Sequence, residues 1–277
     1  MPGLDEFQVV RRRRPARRRR VIPLLPGEVL DAPEINTELL IRSILDAVIV
    51  LRKSPYRQTL YDGLSETLSI LDRDAIPEIV CYGLGNFSQC RSSKHQLAAL
   101  LTIKSRYKSQ VFIYDPIFYP QELEVLKILG LSIIPTNEQA LRPINDDTLT
   151  LFYMPHLFKG LIANCIYANW GADLNNCILV TNSFKTMVDD FNSGIGLDAI
   201  DEPGYPEALQ LIKKAATLAH EIVLDESFED DQHYMANAFN STSIHLFTKS
   251  RLDAVSGDFW AALPGLPYRP DDAGREL

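Results

Sequence analysis

A chain of 277 residues and 31.3 kDa, 46% hydrophobic and 23% charged, can bury a large core without disulfide or metal staples. That excludes a fibre, a mini-protein and a globally disordered chain. The net charge of −8 is uneven, because residues 1–32 carry eight arginines against Asp5, Glu6, Glu28 and Asp31, a surplus of +4 that leaves −12 for the rest. An acidic body repels phosphate backbones, so nucleic-acid binding is expected only through the arginine-rich arm. No run approaches the roughly 20 apolar residues that span a bilayer, and no membrane association is expected.

The arm reads RRRRPARRRR over residues 11–20. Like charges interrupted by proline cannot bury themselves, so residues 1–35 are expected to be disordered. Such a block reads either as a solvated tail or as a nuclear-localisation or nucleic-acid patch. The protein is therefore expected in the cytoplasm, and in the nucleus too if the arm is an address. A transit peptide suits it less well, since Asp5 and Glu6 come early and serine is absent.

The body begins with two segments of helical period. Residues 37–53 space Leu40, Ile44, Ala47, Val48 and Leu51 along one face, and residues 58–73 do the same with Leu60, Leu64, Leu68 and Leu71. From residue 78 the pattern changes to a short apolar run (EIVCY), a glycine loop and a long amphipathic segment with Leu97, Leu100 and Leu101. QVFIY follows, then a helix over 120–129 stopped by Gly130, the strands LSIIP and TLFYMPH, a helix over 158–170 and the strand CILVTNSF. A helix over 206–220 and strands at EIVLDE and SIHLFT close the series. Buried strands alternating with helices predict a doubly wound, mostly parallel, Rossmann-like α/β sheet with helices on both faces and a helical N-terminal preface. One domain is expected over 36–262, with its core at 77–247 and a loose tail over 263–277. Cys81, Cys90, Cys165 and Cys177 form no C-x-x-C pair and read as reduced, buried thiols.

In such sheets ligands bind beyond the carboxyl ends of the strands. After the first strand comes Gly83-Leu84-Gly85-Asn86-Phe87-Ser88, where two glycines permit close backbone approach and make Gly83, Gly85 and Asn86 candidates for holding an adenosine-type cofactor. The third glycine of G-x-G-x-x-G is replaced by Ser88. Asp115 ends the second strand, where a carboxylate accepts from ribose hydroxyls; a turn with Pro116 is the alternative. His156 follows LFYMP and Asn182 ends CILVTN, giving a candidate general base and a polar partner on the same rim. A satisfied hydrogen-bonding histidine is the more ordinary reading. Asn169, Trp170 and Ser183 add polar groups but no nucleophile with an adjacent base. G-x-S-x-G, H-E-x-x-H and P-loop patterns are missing, which argues against the common hydrolases, zincins and nucleoside triphosphatases. The acidic run Asp225–Asp231 reads as a solvated loop, and no metal site is expected.

Taken in order, CYGLGNFSQC, VFIYDPIFYPQELEVLKILG, LFYMPH, ANW, ILVTNSF and FNSTSIHLF resemble the sensitivity-to-red-light-reduced (SRR-like) domain family from about residue 77 to 247. The resemblance implies a regulatory protein acting through protein partners, linked to circadian clock input, clock-gene expression and haem biosynthesis, with no reaction assigned. The chain departs from the family's pattern at Leu157, where a small or cysteine residue is usual, and at Ser241, where an acidic one is. It also lacks a Cys-Pro dipeptide, so haem would have to use His156, another histidine or an isolated cysteine. The competing reading is a nucleotide-cofactor-dependent, methyltransferase-like enzyme using the glycine loop and the strand-end residues. A small-molecule ligand suits either one.

Overall fold

The computed structural model describes residues 33–145, 148–193, 204–224, 233–261 and 265–269. The arginine-rich arm, the acidic run at 225–231 and most of the tail lie outside the described residues. The fold is α/β, with a mixed, mostly parallel sheet of seven strands in the order β3-β2-β1-β4-β5-β7-β6. The strands are β1 (Glu78–Tyr82), β2 (Gln110–Tyr114), β3 (Ser132–Ile133), β4 (Thr150–Tyr153), β5 (Cys177–Asn182), β6 (His220–Val223) and β7 (Thr242–Leu246). The first five run parallel, whereas β7 is antiparallel to both β5 and β6.

Nine α-helices connect them among the described residues: α1 (Thr37–Lys53), α2 (Pro55–Leu71), α3 (Arg91–Tyr107), α4 (Pro120–Ile128), α5 (Lys159–Ala168), α6 (Phe184–Asn192), α7 (Tyr205–Leu218), α8 (His233–Phe239) and α9 (Lys249–Asp253). The two N-terminal helices follow their periodicity closely: α1 buries all five residues of its apolar stripe, and Asn36 caps it by accepting from the Leu39 N–H at 3.0 Å. Pro55 starts α2, where its missing N–H costs nothing.

Alternation along the strands divides the apolar side chains into two cores. Ile79, Cys81, Leu151, Tyr153, Ile178 and Val180 pack with residues of α1–α4 and α8. Val80, Tyr82, Phe152, Met154 and Leu179 pack with residues of α5, α6, α7 and α9. Strands β1, β4, β5 and β7 are buried on both sides, which explains why they read as apolar runs, whereas β3 and β6 at the sheet edges are not. Three cysteines are buried as expected, but Cys90 is exposed. It lies outside the strands, at the N-cap of α3, where only one side of the chain meets the core. Although its partial burial disfavours the thiolate, hydrogen bonding from Ser93 and Ser92 outweighs this and draws its pKa below the ordinary thiol value.

The chain runs outward from β1 through β2 to β3, then returns to lay β4 on the other side of β1. The strand order therefore reverses between β1 and β4, and the carboxyl edge at such a reversal is where a crevice forms in sheets of this kind. No described helix is long and apolar enough to cross a membrane.

Candidate functional site

The loop after β1 is built from the backbone outward. Gly83 and Gly85 both have positive φ, at 72° and 77°. A Cβ on Gly83 would come within 2.3 Å of Leu157 Cδ1, and one on Gly85 within 2.9 Å of Ser93 Oγ. The glycines thus let this loop lie against the loop after β4 and the start of α3.

Two carboxylates fix the loop from the β2 side. Asp115 Oδ2 accepts the Gly85 N–H at 2.7 Å and Oδ1 accepts the Ile117 N–H at 3.0 Å. Burial raises the Asp115 pKa, outweighing these two donors, which lower it. Glu122, fully buried in the first turn of α4, accepts from the Ser88 N–H at 2.7 Å, the Tyr119 N–H at 2.9 Å and Asn86 Nδ2 at 3.0 Å. Asn86 also donates to the Ile117 carbonyl. Four of the six sequence candidates are thereby placed: Gly83, Gly85, Asn86 and Asp115 share one loop system. Glu122, its central acceptor, is missed by the sequence reading. Its signal is a glutamate two residues after Pro120, at the third helical position, where a carboxylate can reach back to the capping N–H.

His156 and Asn182 form a second group at the ends of β4 and β5. Asn182 Nδ2 lies 3.2 Å from His156 Nδ1, so with the amide donating the imidazole proton sits on Nε2. His156 has φ of 58°, left-handed for a residue with a side chain. Desolvation holds its pKa below the ordinary value, opposed by a hydrogen bond to the Ala238 carbonyl at the end of α8. That carbonyl also accepts from Gln96 Nε2 at 2.9 Å.

Because β7 runs backwards, its start reaches the same edge: the Ser183 N–H donates to the Ser241 carbonyl at 2.7 Å. Beneath lies a buried polar cluster. His245 stacks on Phe184 at 3.7 Å between ring centroids, accepts the Phe184 N–H on Nε2 at 3.2 Å, and holds that same nitrogen 3.6 Å from Glu221 Oε1. Burial pushes the Glu221 carboxyl up, but His245, Ser183 and Ser243 prevail and hold it at about 2.

A small apolar cleft of about 50 Å³ opens at the ends of β1 and β2, with Tyr82, Tyr114, Pro116, Ala140, Leu157 and Leu161 on its walls and Gly83 as the one candidate residue in its lining. Gln139 and Ala140, on its far wall, are the central residues of a type I′ turn, with φ of 48° and 58° and the Leu141 N–H donating to the Glu138 carbonyl at 2.8 Å. Neither residue is glycine, and each costs roughly 1–2 kcal/mol there. The turn is held by Asn137, which accepts the Gln139 N–H at 2.9 Å, and by Asn164, which donates to the Gln139 carbonyl at 3.0 Å. Glu138 pairs bidentately with Arg142 at 2.7 and 2.9 Å and accepts from the Tyr82 hydroxyl. The lining offers no histidine, cysteine or methionine for a haem iron; of the haem-ligating residue types it holds Tyr82, whose hydroxyl donates to Glu138, and Tyr114. No group of three or more metal-ligating side chains occurs among the described residues.

The family model of the SRR1 domain matches residues 64–246, which contain the sheet and every group above. The chain belongs to the SRR1-domain family. An SRR1-like protein of Mus musculus is 37% identical over 112 residues, covering 39% of this chain and 45% of that protein, so the match spans about half the length of the mouse relative. An SRR1-like protein of Drosophila melanogaster is 25% identical over 280 residues, covering 97% of this chain and 92% of its own. Protein SENSITIVITY TO RED LIGHT REDUCED 1 of Arabidopsis thaliana is 28% identical over 183 residues, 65% of this chain and 62% of that one. Membership of this family supports a regulatory SRR-like protein.

Proposed function

We propose that this protein regulates through protein partners, with the carboxyl-edge cleft as a small-molecule sensor rather than a reaction centre. Its roles are in clock-gene expression and the control of haem biosynthesis, in the cytoplasm and, through the arginine-rich arm, the nucleus. The observation that carries this reading is the employment of the polar groups at the edge. Both oxygens of Asp115 and both of Glu122 accept from the loops they brace, and the adjoining cleft is lined mainly by tyrosine and aliphatic side chains. A reaction centre needs acids, bases or nucleophiles free to touch substrate. The name of the Arabidopsis relative, which refers to reduced red-light sensitivity, accords with a signalling role.

The test has two arms. Purified protein is screened by thermal shift against S-adenosylmethionine, nicotinamide and flavin nucleotides and haem; a ligand at a hundred times its Kd stabilises by about 2.7 kcal/mol. Cells depleted of the protein are assayed for clock-transcript rhythm and haem content. A sensor gives stabilisation without turnover and altered rhythm or haem; unchanged rhythm and haem together overturn the regulatory reading.

A second reading, a nucleotide-cofactor-dependent transferase, is favoured by one feature. The reversal of strand order between β1 and β4, with Gly83–Asn86 at the crevice, is where a doubly wound, Rossmann-like sheet places a dinucleotide or adenosine group. Under it Gly83, Gly85, Asn86 and Asp115 hold the adenosine while His156 and Asn182 face substrate. Turnover with any of the screened cofactors, lost in His156→Ala with cofactor binding retained, would establish it.

A further inference from the structure

Far along the chain from the cleft, residues 265–269 cross the back of its walls. Tyr268 is buried, and its backbone pairs reciprocally with the side chain of Asn164: the Tyr268 N–H donates to Oδ1 at 2.7 Å and Nδ2 donates to the Tyr268 carbonyl at 2.7 Å. The same Nδ2 donates to the Gln139 carbonyl in the strained turn. Asn164 is itself fully buried, so one amide joins the C-terminal segment to the cleft wall with no solvent between them.

The second wall is reached from the same point. The Tyr268 ring lies over Gly160, where a Cβ would come within 2.5 Å of it, and is 5.4 Å from the Phe158 ring and 6.4 Å from that of Tyr205. Phe158 directly follows Leu157, and Gly160 precedes Leu161, both of which line the cleft. Gly204, at the N-cap of α7, is also close, since a Cβ there would meet the Gly265 carbonyl at 2.9 Å.

We infer that the segment around Tyr268 is a control strap for the cleft: seated, it holds the Gln139–Ala140 turn in its left-handed form through Asn164, and unseated, it lets the turn relax and the cleft wall move. The inference rests on the cleft being the sensing site and adds how that site is regulated. Two left-handed non-glycine residues in succession persist only where their surroundings over-determine them. Asn137 belongs to the turn's own loop and the Tyr82 hydroxyl reaches Glu138 from β1, while Asn164 ties the turn to the C-terminal segment through Tyr268. A partner protein that displaces the segment around Tyr268 would thus be felt in the cleft.

The experiment measures amide hydrogen exchange at Gln139 and Leu141 in the full chain and in the double variant Gly160→Ala, Tyr268→Ala. Alanine fills the seat of the ring while favouring the α5 helix, and the second substitution removes the ring itself. Exchange at the two turn amides is expected to rise at least tenfold, with the amides of β1 and β7 unchanged. Turn amides that keep their wild-type rates in the double variant overturn the strap. Exchange that rises equally in β1 and β7 also overturns it, because that is general loosening rather than coupling. The sensor reading is judged separately, by thermal shift of the wild-type chain with adenosine and S-adenosylmethionine. Coupled turn amides with no ligand response leave the strap standing and count against the sensor, and a ligand response with indifferent turn amides does the reverse.

Discussion

Glu122 Oε1 accepts the Ser88 N–H at 2.7 Å, so a side chain from α4 closes a loop that left the sheet one strand earlier. Three donors converge on this one buried carboxylate. Glu122→Ala leaves them unpaired and is expected to lower unfolding free energy by roughly 3 kcal/mol. Glu122→Gln keeps the shape but weakens the charge-assisted bonds, at about 1–2 kcal/mol. Urea denaturation of the two variants checks both values; equal losses would mean that packing, not the acceptor, sets the cost.

Gly83→Ala combines a positive φ with a Cβ 2.3 Å from Leu157 Cδ1. The expected cost is roughly 2–3 kcal/mol. Adding Leu157→Ala removes the collision but not the backbone strain, so a double-mutant cycle is expected to return about 1 kcal/mol of coupling. Strict additivity would place the whole effect in φ.

At His156 two backbone effects oppose each other. Glycine relieves a left-handed conformation worth roughly 1–2 kcal/mol, and adds unfolded-chain entropy worth about 0.5–1 kcal/mol. Relief wins. His156→Gly is expected to be more stable than His156→Ala by roughly 0.5–1 kcal/mol, although both lose the imidazole and its bond to Asn182. Denaturant midpoints of the pair decide it.

Glu221 carries the acid sensitivity of the edge. Its folded pKa, at about 2, is below the ordinary 4.5, so its stabilising contribution is full above pH 5 and is lost as the pH falls from 4.5 towards 2. The contribution is at most about 3 kcal/mol. Unfolding free energies of wild type and Glu221→Gln should differ at pH 7 and converge near pH 2; a pH-independent difference would remove His245 and the hydroxyls as its cause.

The sheet was legible because β1, β2, β4 and β5 are apolar on both faces, and helices of ordinary length separate them. Helix α8 was not, since it follows an acidic run and spans only seven residues. Nor was α6, whose start, Ser183-Phe184, continues the apolar pattern of β5. The direction of β7 was equally hidden: SIHLF alternates in the same way whichever way it runs, and only its partners β5 and β6 reveal it. At the site, glycines and strand-end polar residues announced themselves by position. Glu122 and Asn164 did not, because a buried polar residue inside a helix reads as surface until its distant acceptors and donors are known. Asn164 stands in GLIANCIYA with no neighbour in sequence to satisfy it; its partners are 25 and 104 residues away.

The reversed β7 also sets where the chain can grow. Residues added after β1, β4 or β5 lengthen the rim of the crevice, while residues added before those strands lengthen the opposite edge. For β7 the rule inverts, and an insertion ahead of Thr242, at Asn240 or Ser241, would extend the crevice wall beside Ser183. Relatives that differ in length at this entry loop would therefore differ in the mouth of the site, and those that differ after Leu246 would leave it untouched.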